Sequence, residues 1–145
     1  MSSLSWMTGL KLKTLREANL RRLPHFKNSQ GGLAHSRKDG SDWSPLEWSA
    51  AVGGEVGELQ NLLKKVRRGD LSLDEARSRI SDELADVLIY LDLTAQQCGI
   101  DLAAATISKF NAVSERVGSN VRIKSDGTDW EFALDSDHNS LRSPA

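Results

Sequence analysis

The chain has 145 residues, of which 39% are hydrophobic and 27% charged, with a formal net charge of −1. That length suits one domain with a real core, and the near-neutral balance argues against a dedicated nucleic-acid binder, whose surface would be basic. Cys98 is the only cysteine, so no intramolecular disulfide can form, which fits a reducing compartment.

The N-terminus, MSSLSWMTGLKLK, lacks the continuous apolar stretch of a secretory signal. No run reaches the roughly 20 apolar residues of a membrane helix, so the expectation is a cytoplasmic protein without membrane contact. Residues 4–23 read as a first helix, with Leu12, Leu15 and Leu23 among its apolar positions. Gly9 weakens its start and Pro24 ends it. Residues 24–44 are rich in Gly, Ser, Asn and Asp and show no period. A loop of that length is usually a functional lid or a disordered segment.

The second helix has a sharp start. Ser44 is the N-cap, Pro45 takes the first helical position and Glu47 completes a capping box. The helix should run to Arg68, with Gly69 as its stop. Ser72 to Glu75 repeats the device. An apolar period then continues through Ile80, Leu84, Val87, Leu88 and Leu91 to about Cys98, and Gly99 suits the position just past the end. Asp101 can cap a fourth helix that reaches Val117 before Gly118. Val121–Ile123 reads as a short extended piece. Residues 124–145 read as a polar, acidic, loosely ordered tail in which Trp130 and Phe132 could dock on the body or a partner. The fold class is all-α: a four-helix-type bundle in one domain, 1–123, followed by the tail 124–145.

Two acidic pairs stand out. At about 100° per residue, and with Val52 as the origin, Trp48, Val56, Leu59, Leu63 and Val66 form one apolar stripe. Glu55 then lies about 60° to one side and Glu58 about 120° to the same side. On the third helix, with Ile80 as the origin, Leu84, Val87, Leu91, Thr94 and Cys98 form the stripe. Glu83 and Asp86 fall at the same two offsets, about 60° and 120°. If the helices pack antiparallel, four carboxylates converge at the edge of the core. Left alone they would repel, so some must bind protons or a cation must neutralise them. Oxygen donors without His or Cys suit a hard ion, Mg²⁺ or Mn²⁺. A single Glu-x-x-Glu is mostly a solvated helix face; two pairs on consecutive helices at matched offsets are harder to explain that way. Gly53, Gly54 and Gly57 around the first pair would let a facing helix or a substrate approach the backbone.

On the fourth helix Lys109 and Arg116 sit seven apart and share one flank of the stripe formed by Leu102, Thr106, Phe110, Val113 and Val117. Paired cations at a core edge suit phosphate oxygens, although they could also snorkel or pair with acids of the bundle. Metal-binding acids with phosphate-binding cations are the equipment of phosphoryl chemistry. The GxxxxGK[ST] loop is absent, which excludes a Walker-type NTPase.

The segments GEVGELQNLLKK, SDELADVLIYLDLTAQQCGIDL and ISKFNAVSERVG resemble the MazG-like, all-α nucleoside triphosphate pyrophosphohydrolases, which include the dCTP pyrophosphatases, dimeric dUTPases and phosphoribosyl-ATP pyrophosphatases. The two-part signature E-x-x-E and E-x-x-D falls on Glu55, Glu58, Glu83 and Asp86. The resemblance covers roughly residues 40–123, and more weakly the first helix through Asn19, Arg22 and Phe26. It implies a helical bundle assembling as a homodimer or homotetramer, and Mg²⁺-dependent hydrolysis of a nucleoside triphosphate between the α and β phosphates. Glu55 would orient or deprotonate the attacking water, while Glu58, Glu83 and Asp86 would mainly hold metal. By the same resemblance Lys109 matches the family's lysine in the ISK stretch, a candidate triphosphate contact, Arg116 matches a recurring basic position there, and Asn111 is a further polar candidate. Where dCTP pyrophosphatases carry a His the chain has Trp43, and where they carry a Trp it has Lys65, so cytosine specificity does not carry over. Trp43 could stack on a base or serve as a hydrophobic staple ahead of the second helix.

Two other readings compete. A non-catalytic nucleotide sensor or interaction module would keep the same fold. A di-iron carboxylate bundle would need Glu-x-x-His pairs, and none occurs.

Overall fold

The structure is a computed structural model that describes residues 7 and 9–133. Among them lie four α-helices and one two-stranded sheet: α1 (Leu12–Arg22), α2 (Pro45–Arg68), α3 (Leu73–Gln97), α4 (Leu102–Arg116), β1 (Val121–Ile123) and β2 (Trp130–Phe132). The class is all-α. No helix among the described residues is long and apolar enough to cross a membrane. The chain divides into two compact units, with the boundary between Ile100 and Asp101.

In the first unit α2 and α3 form a long helical hairpin. The Ser44 N–H donates to the Glu47 carboxylate at 2.6 Å, and the Ser72 N–H donates to Glu75 at 2.7 Å, so both starts follow the capping boxes of the sequence. Gly69 closes α2 with φ of 81°, a left-handed conformation that suits glycine. Only residues 69–72 separate the two helices, which therefore run back along each other.

α1 begins later than the sequence suggested. Gly9 and Leu10 are not helical, and residues 1–6 and 8 lie outside the described residues. A single 3-10 turn at Leu23–His25 follows α1, with Pro24 in it. The helix is fastened to α3 by charge. Asp92 is 1% exposed. Its Oδ1 accepts from Arg16 Nε at 2.9 Å and its Oδ2 from Asn19 Nδ2 at 3.1 Å. Arg16 also donates to Gln96 Oε1 and to the Asp92 carbonyl.

The 24–44 segment is more ordered than its composition suggested. Isolated antiparallel bridges join Lys27 to Leu33 and Ser36 to Asp42. Gly31 and Gly40 take positive φ in the tight turns between them. Asn28 Oδ1 accepts from the Gln30 and Gly32 N–H groups, which satisfies backbone that a loop would otherwise leave to water.

In the second unit Asp101 caps α4 by accepting from the Ala104 N–H at 3.0 Å. β1 pairs antiparallel with β2, with Val121 opposite Phe132 and Ile123 opposite Trp130. The extended piece at 121–123 is thus a strand, and its partner comes from the stretch read as tail. Trp130 and Phe132 lie edge to face, with centroids 5.1 Å apart, and both are exposed. The remainder of the tail, 134–145, lies outside the described residues.

The apolar stripes drawn from periodicity are only partly buried. Trp48 is buried, but on α2 Leu62 is covered and Leu63 is 44% exposed. On α3 Leu84 is 53% exposed and Leu91 41%, whereas Ala76, Leu93 and Ala95 are buried. Cys98 is exposed as well. Among the described residues, nothing beyond the helix's own local backbone lies within 4 Å of where a Cβ at Gly53, Gly54 or Gly57 would stand, so packing of the described elements does not require these glycines.

Truncating Arg16 leaves the Asp92 carboxylate buried and uncompensated. Arg16→Met should therefore lower stability by about 3 kcal/mol, the lower end of the range for breaking a buried pair. Urea denaturation followed by far-UV circular dichroism measures this; a change within error of zero would show that the tie between α1 and α3 is dispensable.

Candidate functional site

The antiparallel hairpin brings Glu55 of α2 against Glu83 and Asp86 of α3. One carboxylate oxygen from each of the three lies within 4.8 Å of the other two. Glu55 and Glu83 are half-buried and Asp86 is exposed. The Glu55 carboxyl is pushed above its usual range, first by burial and then by the charges of Asp86, Glu83 and Glu58. A hydrogen bond with Glu83 adds to the shift. Glu58 is exposed and stands outside the group of three, so its contribution visible here is its charge on Glu55.

This donor set fits a hard divalent ion. All of the candidate donors are carboxylate oxygens, and one edge of the cluster opens to solvent at Asp86.

Beside the acids is a cavity of about 240 Å³, lined on one wall by Glu55, Asp86, Ile89 and Tyr90 and on the other by Asn19, Arg22, Phe26 and His35. Burial raises the Tyr90 hydroxyl, helped by the charges of Glu55 and Asp86 and opposed by Arg22. The 24–44 segment contributes His35, which stacks on Trp48 at 5.0 Å and meets Phe26 and Trp43 edge to face at 5.3 and 4.9 Å. His35 Nδ1 and Trp48 Nε1 are buried without a hydrogen-bond partner among the described residues.

The other residues singled out in the sequence are placed differently. Trp43, just before the Ser44 cap, packs on Trp48 one turn into α2 with centroids 5.1 Å apart, which is the hydrophobic staple. It does not line the cavity. Asn111 has a role inside the second unit: its carboxamide accepts from the Ile123 N–H at 2.8 Å and donates to the Ile123 carbonyl at 2.9 Å, clamping α4 to β1. Lys109 and Arg116 are exposed on α4.

Sequence reasoning missed His35 and Tyr90 as cavity residues, and Asp92 altogether. His35 sits in a stretch without a period, so only the folded loop reveals it. Asp92 did leave a signal: a lone carboxylate between Leu91 and Leu93 in an otherwise apolar run.

The fold and site define a class: an all-α protein whose helical hairpin gathers carboxylates beside a small cavity. No family model matches the chain. Curated relatives do. It is 36% identical over 83 residues to dCTP pyrophosphatase 1 of Rattus norvegicus, covering 52% of this chain and 49% of the relative. To dCTP pyrophosphatase 1 of Homo sapiens it is 36% identical over 78 residues, covering 48% and 46%. The Mus musculus protein of the same name matches at 36% over 83 residues. The chain spans about half the length of these relatives, and the likeness supports its resemblance to the MazG-like superfamily.

Burial holds the His35 pKa below the ordinary 6.5. The unfolded chain therefore binds a proton before the folded one does as pH falls. Stability from this residue is fully present above about pH 7 and is lost as pH drops through 6.5 toward the folded pKa. His35→Phe should flatten that part of the stability profile. Denaturation midpoints at pH 7.5, 6.5 and 5.5 would test it, and parallel profiles for both proteins would rule it out.

Proposed function

We propose that the chain is a Mg²⁺-dependent nucleoside triphosphate pyrophosphohydrolase. It would cleave a nucleoside or deoxynucleoside triphosphate between the α and β phosphates, giving the monophosphate and pyrophosphate. The observation that carries this reading is the convergence of Glu55, Glu83 and Asp86 from two helices within 4.8 Å. Likeness to proteins named dCTP pyrophosphatase supports the substrate class.

Glu55, Glu83 and Asp86, which the hairpin gathers, would hold the ion, with Glu58 as the fourth candidate, one turn further along α2. When bound, the ion supplies charge neutralisation for the triphosphate and acidifies water. Glu55 is the candidate general base because it is half-buried at the cavity wall beside Glu83 and Asp86. It would orient a water toward the α phosphorus and take its proton. The α–β phosphoanhydride bond breaks, and pyrophosphate departs with the bonding pair. Lys109 and Arg116 are the candidates for contact with the triphosphate. Asn111 and Trp43 were further candidates, but both side chains already serve the fold.

Self-association belongs to the same reading. Leu84, Leu88 and Leu91 line one face of α3 at helical spacing and are exposed, as is Leu63 on α2. A second copy would cover them, in a homodimer or homotetramer. The alternative function, a nucleotide-binding sensor or interaction module, draws on the exposed Trp130–Phe132 pair, which offers a surface to a partner.

A panel of dNTPs and NTPs with Mg²⁺, and with product identification, separates the two. Monophosphate and pyrophosphate are the expected products; tight binding of one nucleotide without turnover would favour the sensor. Glu83→Gln should fold normally, lose Mg²⁺ binding and lower turnover by about a hundredfold or more. Wild-type turnover in that variant would count decisively against the metal site. Sedimentation at micromolar concentration should give more than the monomer mass, and a monomer would refute self-association.

A further inference from the structure

Asp92 takes no part in the proposed chemistry, yet both of its buried oxygens are used. Arg16 alone would pair the charge and tie α1 to α3. The network continues beyond that tie. Asn19, only 2% exposed, donates its amide NH₂ to Asp92 Oδ2 at 3.1 Å. An ionised carboxylate only accepts, so it fixes which way the Asn19 carboxamide faces, and the amide oxygen must point elsewhere. That oxygen accepts from Arg22 NH2 at 3.2 Å. The Arg22 guanidinium also lies over the Phe26 ring, 5.4 Å from its centroid. A long, exposed side chain is thereby held at two points. Asn19, Arg22 and Phe26 line the cavity that Glu55 and Asp86 border.

We propose that Asp92 acts through Asn19 as a positioning residue, holding the Arg22 guanidinium at the rim of the cavity to receive an acceptor group of the bound nucleotide. This rests on the nucleotide reading of the site. Arginine carries donors only, so the group it meets is an acceptor: a phosphate oxygen or a carbonyl edge of the base. Holding the fork in place before binding reduces the ordering cost that a free arginine would incur on contact.

The test is a double-mutant cycle on Arg22→Gln and Asp92→Asn. It is read as affinity for α,β-imido analogues of the four dNTPs, with wild-type turnover of the ordinary dNTPs measured in parallel. Arg22→Gln should weaken binding about tenfold or more, as expected for loss of a charge-assisted hydrogen bond. Asp92→Asn should weaken it several-fold when Arg22 is present and not at all when residue 22 is Gln. A purely structural role for Asp92 would weaken binding equally in both backgrounds, and that result overturns the proposal. So does unchanged affinity in Arg22→Gln. Equal loss for all four bases assigns the contact to phosphate, whereas loss confined to bases with a carbonyl edge assigns it to the base. If Asp92→Asn does not fold, Asn19→Ser interrupts the same link while leaving Arg16 and Asp92 paired, and it carries the same cycle. Binding without turnover in the wild type defeats the catalytic reading and leaves the cycle decisive. Neither binding nor turnover defeats both.

Discussion

A carboxylate at 1% exposure must be paired and hydrogen-bonded, and the Asp92 carboxylate sets how α1 docks on α3. Its partners, Arg16 and Asn19, are three residues apart on α1, so one ion on α3 fixes both the position and the rotation of that helix. α1 is short, and its own hydrophobic patterning is weak; Asn19 is its one buried residue. The specificity of this docking is polar. The same contact places Asn19 and Arg22 along the cavity wall, so the constraint that orients the helix also determines which side chains face Glu55 and Asp86.

The hairpin carries the opposite electrostatic arrangement. Where Asp92 is matched, Glu55, Glu83 and Asp86 are crowded against one another, and the Glu55 carboxyl is raised first by burial and then by these neighbouring charges. Such repulsion opposes folding. It is tolerable because α2 and α3 are anchored independently by two capping boxes, a left-handed glycine stop and a short turn, none of which involves the acids. A cation binding the cluster would favour the folded state by mass action. Fold and site are therefore separable in this hairpin: its ends hold the structure, and its middle holds unbalanced charge.

Legibility in the sequence followed the range of the interactions. Both capping boxes, the glycine stops at 69, 99 and 118 and the ends of α2, α3 and α4 depend on residues within one helical turn, and they were readable from the sequence. Glu55, Glu83 and Asp86 were also legible, because two helices of known start and matched angular offset can bring residues together in only a few ways. Loop 24–44 was not. Its bridges and the placement of His35 among Phe26, Trp43 and Trp48 arise from contacts that no local pattern encodes. Nor was the pairing of β2 with β1, because three-residue strands carry too few alternations to stand out from a polar tail.

The stripes themselves carry a further lesson. Periodicity identifies positions that avoid water, without saying which surface covers them. On α3 the stripe through Leu84 and Leu91 is regular, yet these residues are exposed, while Asp92 and Leu93 on another face are buried. The helix is thus apolar over more of its circumference than the described elements cover. A helix hydrophobic on two sides is stable when both sides are packed. The side turned toward α1 is covered through the Asp92 network. The Leu84–Leu91 side is left exposed by the described elements, so its regular period marks a face that a further surface would have to cover.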